Sequence, residues 1–152
     1  MPNATPADAE VILKLYDLRR EARMRDARNW FVTFDPKSFD DFVATVFNFG
    51  SNENAYFRQV TTYWETAASL VVNGALNEKL FFDTQGEMWF VFARLRPFLA
   101  QFREKMIAPE ALRNVEKIAT GTPEGLERLQ RMEERFKIIA QLRTKAAHEA
   151  AA

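Results

Sequence analysis

Apolar residues recur along this chain at three- and four-residue intervals, the period of an amphipathic α-helix, and no segment sustains the two-residue alternation of a strand. The first stripe, Val11, Leu15, Leu18 and Ala22 widened by Ile12, Leu13 and Tyr16, follows Thr5-Pro6-Ala7-Asp8. A hydroxyl N-cap, a proline at the first helical position and an acid in the first turn make a strong helix start. Asp35-Pro36 stops whatever precedes it, because the residue before a proline is driven out of the helical region. The pattern therefore predicts one long helix from Pro6 to Phe31. Ser38-Phe39-Asp40-Asp41 then has the form of a capping box, and Phe39, Phe42, Val43, Val46 and Phe47 give a short apolar face behind it.

A turn over Asn48 to Asn52 leads to a third helix, from Glu53 to Asn73, capped by Asn52 and carrying Tyr56, Phe57, Val60, Tyr63, Trp64, Ala67, Leu70 and Val71. Gly74 stands where a left-handed residue closes a helix. Asn77 to Phe82 predicts one short helix, and Asp83 or Thr84 caps the next, whose apolar residues from Met88 to Phe92 point nearly all the way round. A helix of that kind is central and covered on most sides. Pro97 lies inside it and predicts a kink or a split near Arg96, since the ring removes a backbone donor and clashes with the preceding turn. Pro109 opens a further helix to about Ala119. Gly121 closes that helix, and Thr122-Pro123-Glu124 starts a last one along Leu126, Leu129, Met132, Phe136, Ile139 and Leu142. The class is all-α: an up-and-down bundle of four long helices with short extra helices, one domain over 1–152, frayed at 1–5 and 145–152.

Composition narrows the chemistry. The 152 residues are 47% hydrophobic, with 21 basic and 21 acidic side chains, a balance that excludes both disorder and bulk binding of a polyanion. Without cysteine there is no disulfide, thiolate nucleophile or Cys-ligated metal, and His148 as the only histidine excludes a histidine triad and two-histidine metal sites. The first residues lack the features of a secretory leader, and the longest apolar runs fall far short of the roughly 20 residues of a membrane span, which points to a cytoplasmic protein. Charge is unevenly placed: Lys14 to Arg28 holds six bases against three acids, Asp35 to Glu87 three against eight, and Arg94 to Glu149 twelve against eight. Such segments can complement one another within one fold. The basic cluster Arg19, Arg20, Arg23, Arg25 and Arg28 spreads around more than half a helix and is diluted by Asp17, Glu21 and Asp26, so no nucleic-acid role follows.

Two carboxylates stand out because each sits inside a strongly apolar helix, where a charge must find a partner. Glu65 and Glu87 are expected in buried ion pairs with Arg19, Arg23 or Arg58, the first helix being the favoured donor. A paired carboxylate could also serve general acid–base chemistry or hold a hard cation, but no motif fixes either geometry. The 20 aromatic residues, 14 of them Phe, exceed what one small core readily hides. Phe47, Phe49, Phe57, Phe81 and Phe82 flank turns and are the expected self-association surface of a dimer. No phosphate loop, dinucleotide fingerprint, calcium loop or nucleophile elbow is present, and no cofactor is expected.

From Tyr56 to Arg103, Tyr63-Trp64-Glu65, Leu70-Val71, Gly74-Ala75-Leu76-Asn77-Glu78, Phe81-Phe82, Gly86-Glu87 and Arg96-Pro97-Phe98-Leu99 follow one another. That order resembles a family of small all-helical bacterial proteins of unknown function, with an aromatic-Glu helix, a Gly-x-Leu-Asp/Glu turn and a Pro-Phe helix. The opening Leu15-Tyr16-Asp17-Leu18-Arg19-Arg20-Glu21 resembles its soluble members; many others carry an N-terminal membrane helix. The resemblance implies an all-α fold and brings no activity or site residues. The leading expectation for function is a non-enzymatic, self-associating interaction module. The alternative is a binder of a small apolar or amphipathic ligand in a Phe-rich bundle interior, and the third reading is a carboxylate enzyme or metal site at Glu65 and Glu87.

Overall fold

The computed structural model describes residues 2–152, which form eight helices and no strand. Helix α1 (Pro6–Arg20) starts as its sequence dictates: the Thr5 hydroxyl accepts from the Asp8 N–H, and the Asp8 carboxylate accepts from the Thr5 N–H at 2.7 Å. Asp8 also accepts from the Asn77 N–H at 2.7 Å, tying this end to the start of α5 (Glu78–Thr84). The hydrogen bonds from Thr5, then that from Asn77, hold the Asp8 carboxyl below its usual range.

The expected single helix over 6–31 is two. Glu21 adopts an extended backbone (ψ 142°) and its carboxylate accepts from the Met24 N–H at 3.0 Å, so it ends α1 and caps α2 (Ala22–Thr33). No glycine or proline marks this break; Glu21 does an N-cap's work for α2, and Arg25 donates to the Arg20 carbonyl at 2.9 Å at the end of α1. Helix α3 (Phe39–Val46) is capped by Ser38 as the sequence requires, whereas α4 (Asn52–Val72) is capped by Ser51, one residue before the expected Asn52. Asn54, buried, instead donates to the Val46 carbonyl at 2.6 Å and joins the end of α3 to α4. Gly74, at φ 72°, closes α4 in the left-handed region where only glycine is unstrained.

Helix α6 (Glu87–Met106) begins at Gly86 without a side-chain cap, because Asp83 and Thr84 are still the last turn of α5. It runs through Pro97 unbroken. The ring stands on an exposed face, while Leu95 and Leu99 on either side are buried and keep the two halves packed on one core. Pro109 opens a turn, not a helix; α7 (Arg113–Thr120) begins after Leu112, which takes a left-handed φ of 54°. Thr122 caps α8 (Pro123–Ala151), whose final residues are helical to Ala151 where fraying from Lys145 was expected.

Helices α4 and α6 are central: α4 packs on α2, α3 and α7, and α6 on α3, α7 and α8. One core buries Val60, Trp64 and Ala67 of α4 and Trp89, Val91 and Phe92 of α6 together with Phe31 of α2, Val115 of α7 and Leu129 of α8. The α7–α8 crossing is close enough that a Cβ on Gly125 would lie 2.5 Å from the Ile118 carbonyl oxygen. The Gly125 carbonyl then accepts from the Trp89 indole N–H at 3.0 Å. Beyond Phe136 every residue of α8 is exposed, so its last four turns project from the body.

Candidate functional site

Between α3, α4, α6 and the α6–α7 turn lies a groove of about 470 Å³. Phe42 comes from α3, Phe57, Thr61, Thr62 and Glu65 from α4, and Leu95, Leu99 and Phe102 from α6; Glu110 to Asn114 form the roof. Its wall is a ring cluster centred on Phe42, which stacks on Phe98 at 5.2 Å and meets Phe57 and Phe102 edge-on at 5.7 and 6.0 Å. Offset and edge-on rings of this kind are favourable beyond their buried area. The short α3 makes this possible by carrying Phe39, Phe42 and Val46 on one apolar face across the ends of α4 and α6.

The roof is pinned from two sides. Arg103 donates from Nε and Nη2 to the Ala111 carbonyl at 3.0 and 2.7 Å and pairs with Glu116 at 2.9 Å. On the other side Glu65 accepts from the Asn114 N–H (3.0 Å), the Asn114 side-chain amide (2.7 Å) and the Val115 N–H (3.1 Å). A carboxylate there satisfies orphan amides and faces the positive end of the helix dipole. The turn itself is bracketed by Ile107 and Leu112, both in the left-handed region at φ 52° and 54°. For a β-branched residue such as Ile107 that backbone is costly, and its side chain is 88% exposed as well.

Glu65 is therefore not held by arginine as expected; its three donors are the amides of α7. Glu87 is held by arginine, chiefly by one the sequence reading did not choose. Arg28 grips it two-pronged, from Nε at 2.8 Å and from Nη2 at 2.7 Å, while Arg19 approaches to 3.9 Å. The Glu87 hydrogen bonds push the Arg28 guanidinium above the usual arginine range. Beside this pair the Tyr63 hydroxyl donates to the Leu15 carbonyl at 2.7 Å, and burial pushes the phenol up to about 12. Arg23 is exposed and has no ion-pair partner among the described residues, and Arg58 is exposed and donates to Asn54 at 3.2 Å. Glu65 and Glu87 thus serve separate partners, and no group of three or more metal-ligating side chains occurs among the described residues.

The aromatic candidates divide. Phe81 and Phe82 are buried, the second edge-on to Trp89 at 4.9 Å, so α5 turns them inward and they offer no surface to a partner. Phe47 and Phe57 are half-buried, and only Phe49, at 76%, is strongly exposed. What sequence reasoning missed is the groove: Phe42, Phe57 and Phe102 sit on three helices, and the only advance sign was the surplus of rings over the room in one core.

Fold and groove together define an all-helical domain whose phenylalanine-lined recess lies under a pinned turn. The chain belongs to the family described as Domain of unknown function (DUF4760), whose model matches residues 4–122. The match takes in α1 to α7 and every groove residue, and ends where α8 begins. No curated protein and no solved structure matches the chain. No helix among the described residues is long and apolar enough to cross a membrane.

Proposed function

We propose that this protein is a non-enzymatic binding module that takes a small apolar or amphipathic ligand in the groove. The observation that carries this reading is the groove itself. A recess of about 470 Å³, walled by Phe42, Phe57, Leu95, Leu99 and Phe102 with a few polar groups at its rim, has the size and lining of small-molecule sites. Supporting it, the two carboxylates weighed for catalysis each hold a structural partner, Glu65 the α7 amides at the groove's edge and Glu87 Arg28. Ligand apolar surface would lie against the rings, with Thr61, Thr62, Glu110 and Arg113 left to meet a polar end. The neutral fluorophore N-phenyl-1-naphthylamine should bind saturably. Thr61→Trp, which fills the half-buried mouth, should weaken binding at least about tenfold, equivalent to about 1.4 kcal/mol. Unchanged affinity in a folded Thr61→Trp variant would sink the reading.

A second reading, self-association, rests on a different observation. The projecting part of α8 exposes Ile138, Ile139 and Leu142 at 47%, 44% and 61%, and Ala146 and Ala147 beyond them permit close approach of a second helix. An unsupported stretch of four turns is marginal alone in water, and pairing with its copy would bury that apolar face. The formal net charge of zero opposes this little. Sedimentation at micromolar concentration should give a dimer that Ile139→Asp/Leu142→Asp converts to monomer with helicity kept. A monomeric unmodified protein would end this reading without touching the first.

A further inference from the structure

Away from the groove, α8 carries Arg128, Arg131 and Arg135 at three- and four-residue spacing, which aligns them on one helix face. That face looks onto the first turn of α6. Between the two helices lies a recess of about 170 Å³ lined by the three arginines with Gly86, Trp89 and Met132, and no carboxylate is among its lining residues. It shares no residue with the groove.

The three cations are held in unequal ways. Arg128 is fixed: its guanidinium lies over the Phe82 and Trp89 rings at 5.1 and 5.3 Å, donates to the Phe82 carbonyl, and pairs with Glu124 at 2.7 Å. Arg131 pairs with the exposed Glu127 at 2.5 Å. Arg135 has no carboxylate partner among the described residues. Like charges at these spacings repel. Glu124 and Glu127 offset Arg128 and Arg131, so Arg135 is the cation left without a counter-charge, and an anion in the recess within reach of its forked donors would supply one.

We propose that this recess binds a phosphate group, as free phosphate or as a small phosphate monoester. At about 170 Å³ the recess has room for a tetrahedral oxyanion. Arg128 supplies a pre-positioned charge, and Arg131 and Arg135 close on the remaining oxygens.

The test is calorimetric titration of the full chain with inorganic phosphate, with glycerol phosphate, and with phosphatidic acid in phosphatidylcholine vesicles, all at one ionic strength set with chloride. Saturable binding of either small phosphate, weakened at least about tenfold by Arg135→Gln, is the expected result, since one charge-assisted hydrogen bond is of that size. Arg135 is exposed, so this variant should keep its helicity, and Arg135→Lys should recover only part of the affinity because it restores charge without the fork. Vesicle binding that is also lost in Arg135→Gln would place the phosphate on a lipid; vesicles that fail to bind while small phosphates do would place it on a soluble molecule. No saturable binding of any of the three, or binding that Arg135→Gln leaves unchanged, overturns the proposal.

Discussion

Trp89→Ala should destabilise the protein by about 3 to 5 kcal/mol, the cost of emptying a large aromatic site in a packed core. Trp89 is 1% exposed, sits at the crossing of α6 and α8, and meets Phe82 edge-on at 4.9 Å. Its removal also takes away the donor to the Gly125 carbonyl and one of the two rings under Arg128. That carbonyl lies where α8 approaches α7 too closely for a side chain on Gly125, so the neighbouring helices have little freedom to collapse into the space. Urea unfolding followed by circular dichroism measures the change. A loss below about 1 kcal/mol, the range of ordinary surface substitutions, would show that this crossing is not the packed centre described above.

Glu65→Ala should cost about 2 kcal/mol, the upper part of the range for losing a helix N-cap, because three donors lose their acceptor at once. The start of α7 would then rely on Arg103 alone to hold the roof. The same variant should therefore weaken N-phenyl-1-naphthylamine binding, even though the apolar walls are intact. Glu65→Gln should fall between, since its amide oxygen can still accept from Asn114 while its NH₂ faces the Val115 N–H. Equal stability of the alanine variant and the unmodified protein would contradict the capping role.

Where local chemistry decides, the sequence was readable. Thr5, Ser38 and Thr122 cap the helices their spacing marks, Gly74 closes α4, and the helical period gives the all-α class. Elsewhere, contacts between elements decide. On a continuous helix Arg19 and Arg28 are nine residues apart, half a revolution out of phase at about 100° per residue, so only one could face Glu87. The break at Glu21 reorients α2 and brings both to the same carboxylate. Glu65 was misjudged for a related reason: its partners lie about 50 residues on, at a helix start that the left-handed Leu112 sets and that Pro109 mimics. Phe81 and Phe82 flank a turn, yet burial depends on which way the short α5 rolls against α6, and that is settled by the ring of Trp89 and the cation of Arg128.

The family match ends at residue 122, and α8 begins at Pro123. Yet α8 supplies the acceptor of the Trp89 indole N–H and the buried Leu129. The unit that is shared in sequence and the unit that is closed in space are therefore different objects. A chain ending with the shared segment would open this face of α6 to water, and the Trp89 ring would lose its cover along with its acceptor unless another strip of polypeptide took the place of α8.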